Sequence, residues 1–117
     1  DQAHYNPYGQ VLFASETFIK ENPNLVRIVV QATLDGWKHF VEDPADARES
    51  VLQTNKDMDP EIFDASVAAL QTGDWFTSPM GSMTADRWTE LRDQLAGIGA
   101  VPADMDVASA WTMDFKH

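Results

Sequence analysis

Most of the chain is divided into separate helices by prolines that directly follow an asparagine or an aspartate. The side chain before such a proline can accept a hydrogen bond from the free amides of a first helical turn. Proline itself, at the first helical position, has no N–H to leave unpaired. We therefore expect helices that begin near residues 23, 44 and 60, with the last two ending near 54 and 71. The three junctions are Asn22-Pro23, Asp43-Pro44 and Asp59-Pro60.

The helix that follows Pro23 is predicted to be long and amphipathic. Its apolar residues recur at three- and four-residue steps, which places one apolar stripe along the helix. Gly36 interrupts this pattern and costs roughly 1 kcal/mol relative to alanine. It either admits a close neighbour or is a tolerated surface glycine. The stripe consists of Val26, Val29, Val30, Thr33, Trp37, Phe40 and Val41.

Two shorter elements complete the predicted fold. Residues 10–14 (QVLFA) form a brief apolar run of the length of a buried strand, and Ser15 is a natural N-cap for a helical turn after it. Thr84 is expected to cap a last helix whose apolar face runs from Trp88 to Ile98. The segment 101–117 is either a docking segment or a short final helix. The predicted fold class is mainly α, with about five helices and a short strand near 10–14.

The composition restricts the partners of the chain. Its 117 residues suit one domain or a piece of one, and a formal charge of -11 argues against nucleic acid or an anionic membrane as a partner. No run is long enough to span a membrane, and without cysteine there is no disulfide or thiolate site. No signal peptide or methionine opens the chain. We expect a fragment, whose parent carries further residues upstream.

Few residues are suited to catalysis. The histidines are His4, His39 and His117, two of them near the ends of the sequence and none paired at the spacing of metal ligands. Residues 55–59 imitate the first half of a calcium loop, but Pro60 stands where such a loop requires glycine. We therefore predict a protein that is not an enzyme, with no catalytic residue, no bound metal and no cofactor.

Three segments carry a resemblance to a known family. They are YGQVLFAS at 8–15, ENPNLVRIVVQATLDGWKHFVEDPADA at 21–47 and the loop PMGSM at 79–83. In this order they resemble the C-terminal part of NMT1/THI5-like solute-binding proteins of ABC importers. The resemblance implies a type II periplasmic-binding-protein-like α/β fold, in which two lobes close on a small molecule. Residues 1–117 would be a single segment from the C-terminal part of lobe 1, with the rest of the protein upstream.

The resemblance also implies a function and a set of contacts. The parent would be an exported, periplasmic or extracytoplasmic receptor that delivers a thiamine-pyrimidine precursor, a riboflavin-like compound or a sulfonate, nitrate or taurine to ABC permease subunits. The implied ligand contacts are Asn6, Tyr8 and Gly9 at the crossing between lobes, and Trp75 and Met80 in the 75–83 loop. Hinge and loop packing is the alternative for all five residues. Trp75 either plugs a core or stacks on a flat ligand.

Two other functions and one association remain open. The fungal relatives are enzymes that build the thiamine pyrimidine and carry a cysteine-rich motif, which this chain lacks. A stand-alone helical interaction domain is the third hypothesis. If the helices evolved to cover a sheet, their apolar faces need other partners, and we expect either a small bundle or a homodimer in which residues 10–14 pair between copies.

Overall fold

The computed structural model describes residues 5–116, so that His4 and His117 lie outside the described residues. Within this range the chain forms five α-helices and no strand, which confirms the mainly α prediction and its number of helices. The predicted strand at 10–14 is wrong. The helices are α1 Glu16–Glu21, α2 Pro23–Glu42, α3 Ala45–Thr54, α4 Pro60–Thr72 and α5 Ala85–Gly97.

The segment 10–14 is extended backbone without a neighbouring strand. No backbone hydrogen bond joins these five residues to another part of the described chain. Their apolar side chains face solvent, with Val11 46%, Leu12 57% and Phe13 94% exposed. A strand requires a second backbone to satisfy its N–H and C=O groups, and residues 5–116 do not supply one. The apolar run has the composition of a strand but lacks the partner.

Side-chain caps begin the helices much as the sequence predicts. Ser15 Oγ accepts from the Phe18 amide at 3.2 Å, and Asp59 Oδ1 accepts from the Glu61 amide at 2.8 Å. Thr84 Oγ1 accepts a longer bond, 3.4 Å, at the start of α5. These bonds satisfy amides that have no partner inside the helix.

Two junctions differ from the prediction. Helix α3 begins at Ala45 instead of Pro44, and Asp43 Oδ1 accepts from the Ala45 amide at 3.2 Å. Asn22 does not act as the predicted N-cap of α2. Its side-chain amide instead donates to Phe18 O at 3.3 Å, as does its backbone N–H at 2.9 Å. An asparagine carries donors as well as an acceptor, so it can close the preceding helix as readily as open the next one.

The chain divides into two compact units. Unit 1 consists of Asp1–Arg27 and Ser82–His117, and unit 2 consists of Ile28–Gly81. Among the described residues, the buried apolar side chains are Phe63 and Val67, both on α4 in unit 2. The whole chain exposes 8922 Å², against about 6,400 Å² for a folded monomer of this mass. Large apolar side chains such as Phe13, Trp75 and Ile98 are exposed.

Unit 2 is built on an aromatic cluster beside this small core. Phe40 meets Phe63 edge-on with ring centroids 6.3 Å apart. Trp37 contacts Phe40 at 5.8 Å and Phe76 at 5.6 Å. Such pairs contribute roughly 0.5–1.5 kcal/mol each beyond the area that they bury. The rings join α2, α4 and the loop after α4.

Polar bonds also connect the helices of unit 2. The Arg48 guanidinium on α3 makes a two-pronged ion pair with the Asp64 carboxylate on α4, at 2.6 and 2.9 Å. Gln71 Nε2, near the end of α4, donates to Val41 O near the end of α2 at 2.7 Å. These bonds join α3 to α4, and the last turn of α4 to the last turn of α2.

The apolar stripe of α2 is partly as predicted. Most of the predicted members are half-buried, but Val29 is 47% exposed. Leu34, which the predicted stripe did not include, is half-buried. At the exposed Gly36 a Cβ would meet nothing within 4 Å, so the surface-glycine interpretation is correct and no neighbour approaches there. On α5 the predicted stripe ends before Ile98, which is 78% exposed.

Unit 1 combines α1, the beginning of α2, α5 and the tail. The tail from 101 to 116 contains turns and no helix, so the alternative of a short final helix is wrong. Two cationic side chains attach the tail to its own unit. Arg27 lies over the Phe115 ring at 5.8 Å, and Lys116 Nζ donates to Ser82 Oγ at 2.6 Å. The tail is a docked segment of unit 1.

Candidate functional site

In unit 1 the predicted contact residues Asn6 and Tyr8 are held by Arg87 from α5. Arg87 Nε donates to Asn6 O at 2.8 Å, and its Nη2 donates to Asn6 Oδ1 and Pro7 O, both at 2.7 Å. A guanidinium presents its donors in a fixed planar fork, so three bonds on two neighbouring residues define one backbone geometry. We call Asn6, Pro7, Tyr8 and Arg87 the Arg87 clamp.

Tyr8 is fixed on three sides. Its hydroxyl oxygen accepts from the Thr84 amide at 2.8 Å. Arg87 Cζ lies 4.2 Å from the centre of its ring, and the Trp88 ring lies 5.3 Å away at a tilt. A cation over an aromatic face is attracted by the negative face of the ring. Tyr8 is therefore a rigid, half-buried part of the Arg87 clamp.

Gly9 follows the clamp and has the most open surroundings of the three predicted contacts in unit 1. It is exposed, and a Cβ built on it would have no heavy atom within 4 Å. A ligand can therefore approach the Gly9 backbone directly, whereas the Asn6 carbonyl and side-chain oxygen already accept bonds from Arg87.

Trp75 belongs to unit 2 and is not a core plug, because 70% of it is exposed. It is nonetheless fixed in place. Its Nε1 donates to Ala69 O at 3.0 Å, one of the last carbonyls of α4. The indole also lies so close to Gly73 that any Cβ there would collide with Nε1. Trp75 is an immobilised aromatic face that is open to solvent.

Met80 lies in the same unit in a half-buried position. The next residue, Gly81, has a φ of 75°, and a Cβ there would collide with the Leu34 side chain on α2. Only glycine combines a positive φ with so close an approach at little cost. The PMGSM loop is thus closely packed on α2 at this point.

The structure brings some of the predicted contacts together and separates others by unit. Asn6, Tyr8 and Gly9 form one continuous segment in unit 1, while Trp75 and Met80 belong to unit 2. Sequence reasoning missed Arg87, which organises the first group. Asn6 and Arg87 are 81 positions apart, and a single arginine on α5 carries no pattern that indicates such a contact.

Two hollows border α5 and contain none of the predicted contact residues. One, of about 280 Å³, contains Trp111, whose Nε1 is buried without a hydrogen-bond partner. It is lined by Ala85, Thr89, Val107, Ala108, Trp111, Thr112 and Met113. The other is a wide, shallow surface of about 570 Å³ lined by Asp86, Thr89, Glu90, Asp93 and Gln94. Its carboxylates disfavour anionic ligands.

The pKa values of two groups, the partners of the ion pair in unit 2, depart clearly from their ordinary values. The hydrogen bonds from Arg48, together with its charge, lower the pKa of the Asp64 carboxyl, and the same contacts raise the pKa of Arg48. The pair is structural, since it joins α3 to α4. Within residues 5–116, no group of three or more histidine, aspartate or glutamate side chains could hold a metal ion.

Comparison with known proteins finds a family match for the first part of the chain. The family model described as NMT1/THI5 like matches residues 1–47. This part of the chain is similar to that family, and the match covers less than half of the 117 residues. The match contains the segment from Asn6 to Gly9, the unpaired run at 10–14 and the whole of α1 and α2. Searches of curated proteins and of solved structures give no match.

The helices were also compared with the requirements of a membrane span. Among the residues that the structure describes, no helix combines the length and the apolar character that a crossing requires. The longest helix, α2, has Arg27, Asp35 and Lys38 among its residues.

Proposed function

We propose that the chain is part of the substrate-binding component of an ABC importer, and that it acts by lobe closure on a small metabolite without covalent chemistry. The observation that carries this proposal is the NMT1/THI5-like match over residues 1–47. The parent would be periplasmic or extracytoplasmic and would deliver its solute to permease subunits. On this proposal residues 1–117 belong to the C-terminal part of lobe 1 of a type II periplasmic-binding-protein-like fold.

The geometry of the predicted contacts supports a binding role. The Arg87 clamp fixes the segment before Gly9, so that the open Gly9 backbone meets a ligand without first becoming ordered. Trp75 is likewise fixed by Ala69 O before any ligand arrives. Groups that are already ordered bind more tightly, because less conformational entropy is lost on association.

The solute class follows from what each contact can offer. The exposed face of Trp75 suits a flat ring, such as a thiamine-pyrimidine precursor or a riboflavin-like compound. Backbone amides near Gly9 suit the oxygens of a sulfonate, nitrate or taurine. The acidic charge of -11 gives no general attraction for such anions. The flat heteroaromatic class is therefore the first to test.

A ligand screen on the full-length parent tests the proposal. Thermal shift and calorimetric titration should detect one member of the pyrimidine, flavin, alkanesulfonate or nitrate series. With a flat ligand, Trp75→Ala is expected to weaken binding about tenfold, because the stacking surface is removed. Ile62→Ala is the matched control, since Ile62 is a similarly exposed apolar residue of unit 2. If no ligand of any of these classes bound, the result would contradict the proposal.

The thiamine-pyrimidine synthase of the same family is the alternative function. The fungal enzymes carry a cysteine-rich motif, whereas the 117 residues contain no cysteine. The synthase hypothesis predicts that the parent releases a pyrimidine product in the presence of iron, and mass spectrometry of the incubated protein detects it. We expect no product, and its appearance would replace the binding-protein proposal.

A further inference from the structure

Three consecutive apolar side chains of unit 1 are exposed to solvent. Val11, Leu12 and Phe13 are 46%, 57% and 94% exposed, and the backbone from 10 to 14 makes no backbone hydrogen bond within residues 5–116. An extended apolar segment with free N–H and C=O groups is a template for pairing with another strand. We propose that residues 10–14 pair antiparallel with the same residues of a second copy of this chain.

The charge distribution favours a second copy as the partner. The chain carries -11, so two copies repel each other over most of their surfaces. Residues 5–15 contain no charged side chain, and the next charged residue after them is Glu16. Two copies can therefore approach here without bringing like charges together. A basic partner would instead be drawn to acidic surfaces such as the one on α5.

The order of side chains also fits pairing with itself. In an antiparallel pair centred on Leu12, each Leu12 faces its equivalent and each Val11 faces a Phe13. Pairs of an aromatic with a branched residue are favoured across strands. The pairing ends before Glu16, which begins α1, so no carboxylate lies within the paired segment. The arrangement has two-fold symmetry, so that each copy contributes the same residues to the pair.

The expected association is weak. The three exposed side chains offer roughly 400 Å² per copy, or about 800 Å² for the pair, which is at the low end for protein contacts. Two strands alone are only marginally stable in water. We therefore expect a dissociation constant on the order of 100 µM, with the dimer fraction rising visibly between about 10 and 500 µM.

Sedimentation equilibrium of the 117-residue chain over this range is the first test. A Leu12→Lys variant places two ammonium groups opposite each other at the two-fold axis and should abolish the concentration dependence. Ile62→Lys is the matched control, because Ile62 is 61% exposed in unit 2, and it should leave the association unchanged. A wild-type chain that stays monomeric at 500 µM would overturn the proposal, as would loss of the dimer in the control.

A disulfide test examines the register, and the natural absence of cysteine makes it unambiguous. Directly opposed residues of an antiparallel pair have Cα atoms about 4.5–5.5 Å apart, within the range that a disulfide spans. Under mild oxidation Leu12→Cys should form a covalent dimer at least tenfold faster than Val11→Cys or Ile62→Cys. Equal rates for the three variants would show that the copies do not meet at residue 12, and would overturn the proposed pairing. Circular dichroism checks that each variant keeps its helices.

Discussion

Unit 2 has a small buried apolar core, whereas unit 1 has none among its described residues. Unit 2 contains the buried pair Phe63 and Val67 with an aromatic cluster beside it. In unit 1 no described residue is buried, and the three bonds of Arg87 with two cationic contacts to the tail take that role. The difference teaches that one chain can use two kinds of stabilisation, which should respond to different perturbations.

The largest expected effect is on the small core of unit 2. Phe63→Ala should lower the free energy of unfolding by about 3 kcal/mol, since it removes a buried ring and leaves a cavity. Urea denaturation followed by NMR of the indole N–H groups measures it. Trp37 and Trp75 report on unit 2, and Trp88 and Trp111 report on unit 1. Ile62→Ala, on the exposed side of α4, should change stability by less than about 0.5 kcal/mol. Equal effects of the two variants would show that Phe63 does not form a stabilising core in unit 2.

The second effect concerns the clamp of unit 1. Arg87→Gln should cost about 2 kcal/mol, because charge-assisted hydrogen bonds to two residues are lost. Hydrogen exchange at the Thr84 amide, which donates to Tyr8, should accelerate by more than tenfold. Arg92→Gln is the control, since within residues 5–116 the Arg92 side chain bonds to its neighbour Asp93 on α5. Unchanged exchange at Thr84 in the Arg87 variant would show that apolar contacts alone hold unit 1.

A pair of glycine substitutions within unit 2 should have opposite signs. Gly81→Ala is expected to destabilise by about 1 kcal/mol or more, because its φ is positive and Leu34 occupies the space. Gly36→Ala should stabilise by up to about 1 kcal/mol, since it lies in the interior of α2 with open space around it. Thermal unfolding of both variants provides the measurement. A stable Gly81 variant would contradict the close packing of the loop on α2.

The smallest effect is that of acid on the ion pair of unit 2. The hydrogen bonds from Arg48 lower the pKa of Asp64, so its stabilising contribution is complete above the ordinary carboxyl pKa and is lost as the pH falls through the lowered value. Thermal melts from pH 7 to pH 2 should therefore show a decline in unit 2 that Asp64→Asn reduces. Asp57→Asn, in the exposed turn before α4, is the control. Identical pH profiles for wild type and Asp64→Asn would show that the pair contributes nothing.

The helices were predictable because their beginnings depend on local chemistry. Asp59-Pro60 and Thr84 each determine a helix start with atoms a few residues apart. Asn22 was misassigned because two helix ends compete for the same side chain. The strand at 10–14 was misjudged because pairing depends on a second backbone, which no local pattern reports. The number of helices could therefore be predicted from neighbouring residues. The partner of the extended run at 10–14 could not be predicted in this way.

The candidate site was predictable only in part. The exposure of Trp75 resolved an ambiguity that the sequence left open, because an indole in an irregular loop suits either a core or a surface. The role of Arg87 was not predictable, since its partners are about 80 positions away and two of its three bonds end on backbone oxygens, which every residue type has. Bonds to backbone atoms leave no trace in the identity of the partner residue.

The Arg87 clamp also has a consequence for the order of folding during synthesis. Unit 1 draws on residues from both sides of unit 2 along the chain, and Asn6 cannot meet Arg87 until the ribosome has produced α5. Residues 28–81 are complete well before that point and contain the buried pair. We therefore expect the aromatic cluster of unit 2 to assemble first. At that stage the extended apolar segment 10–14 belongs to a unit that has not yet formed.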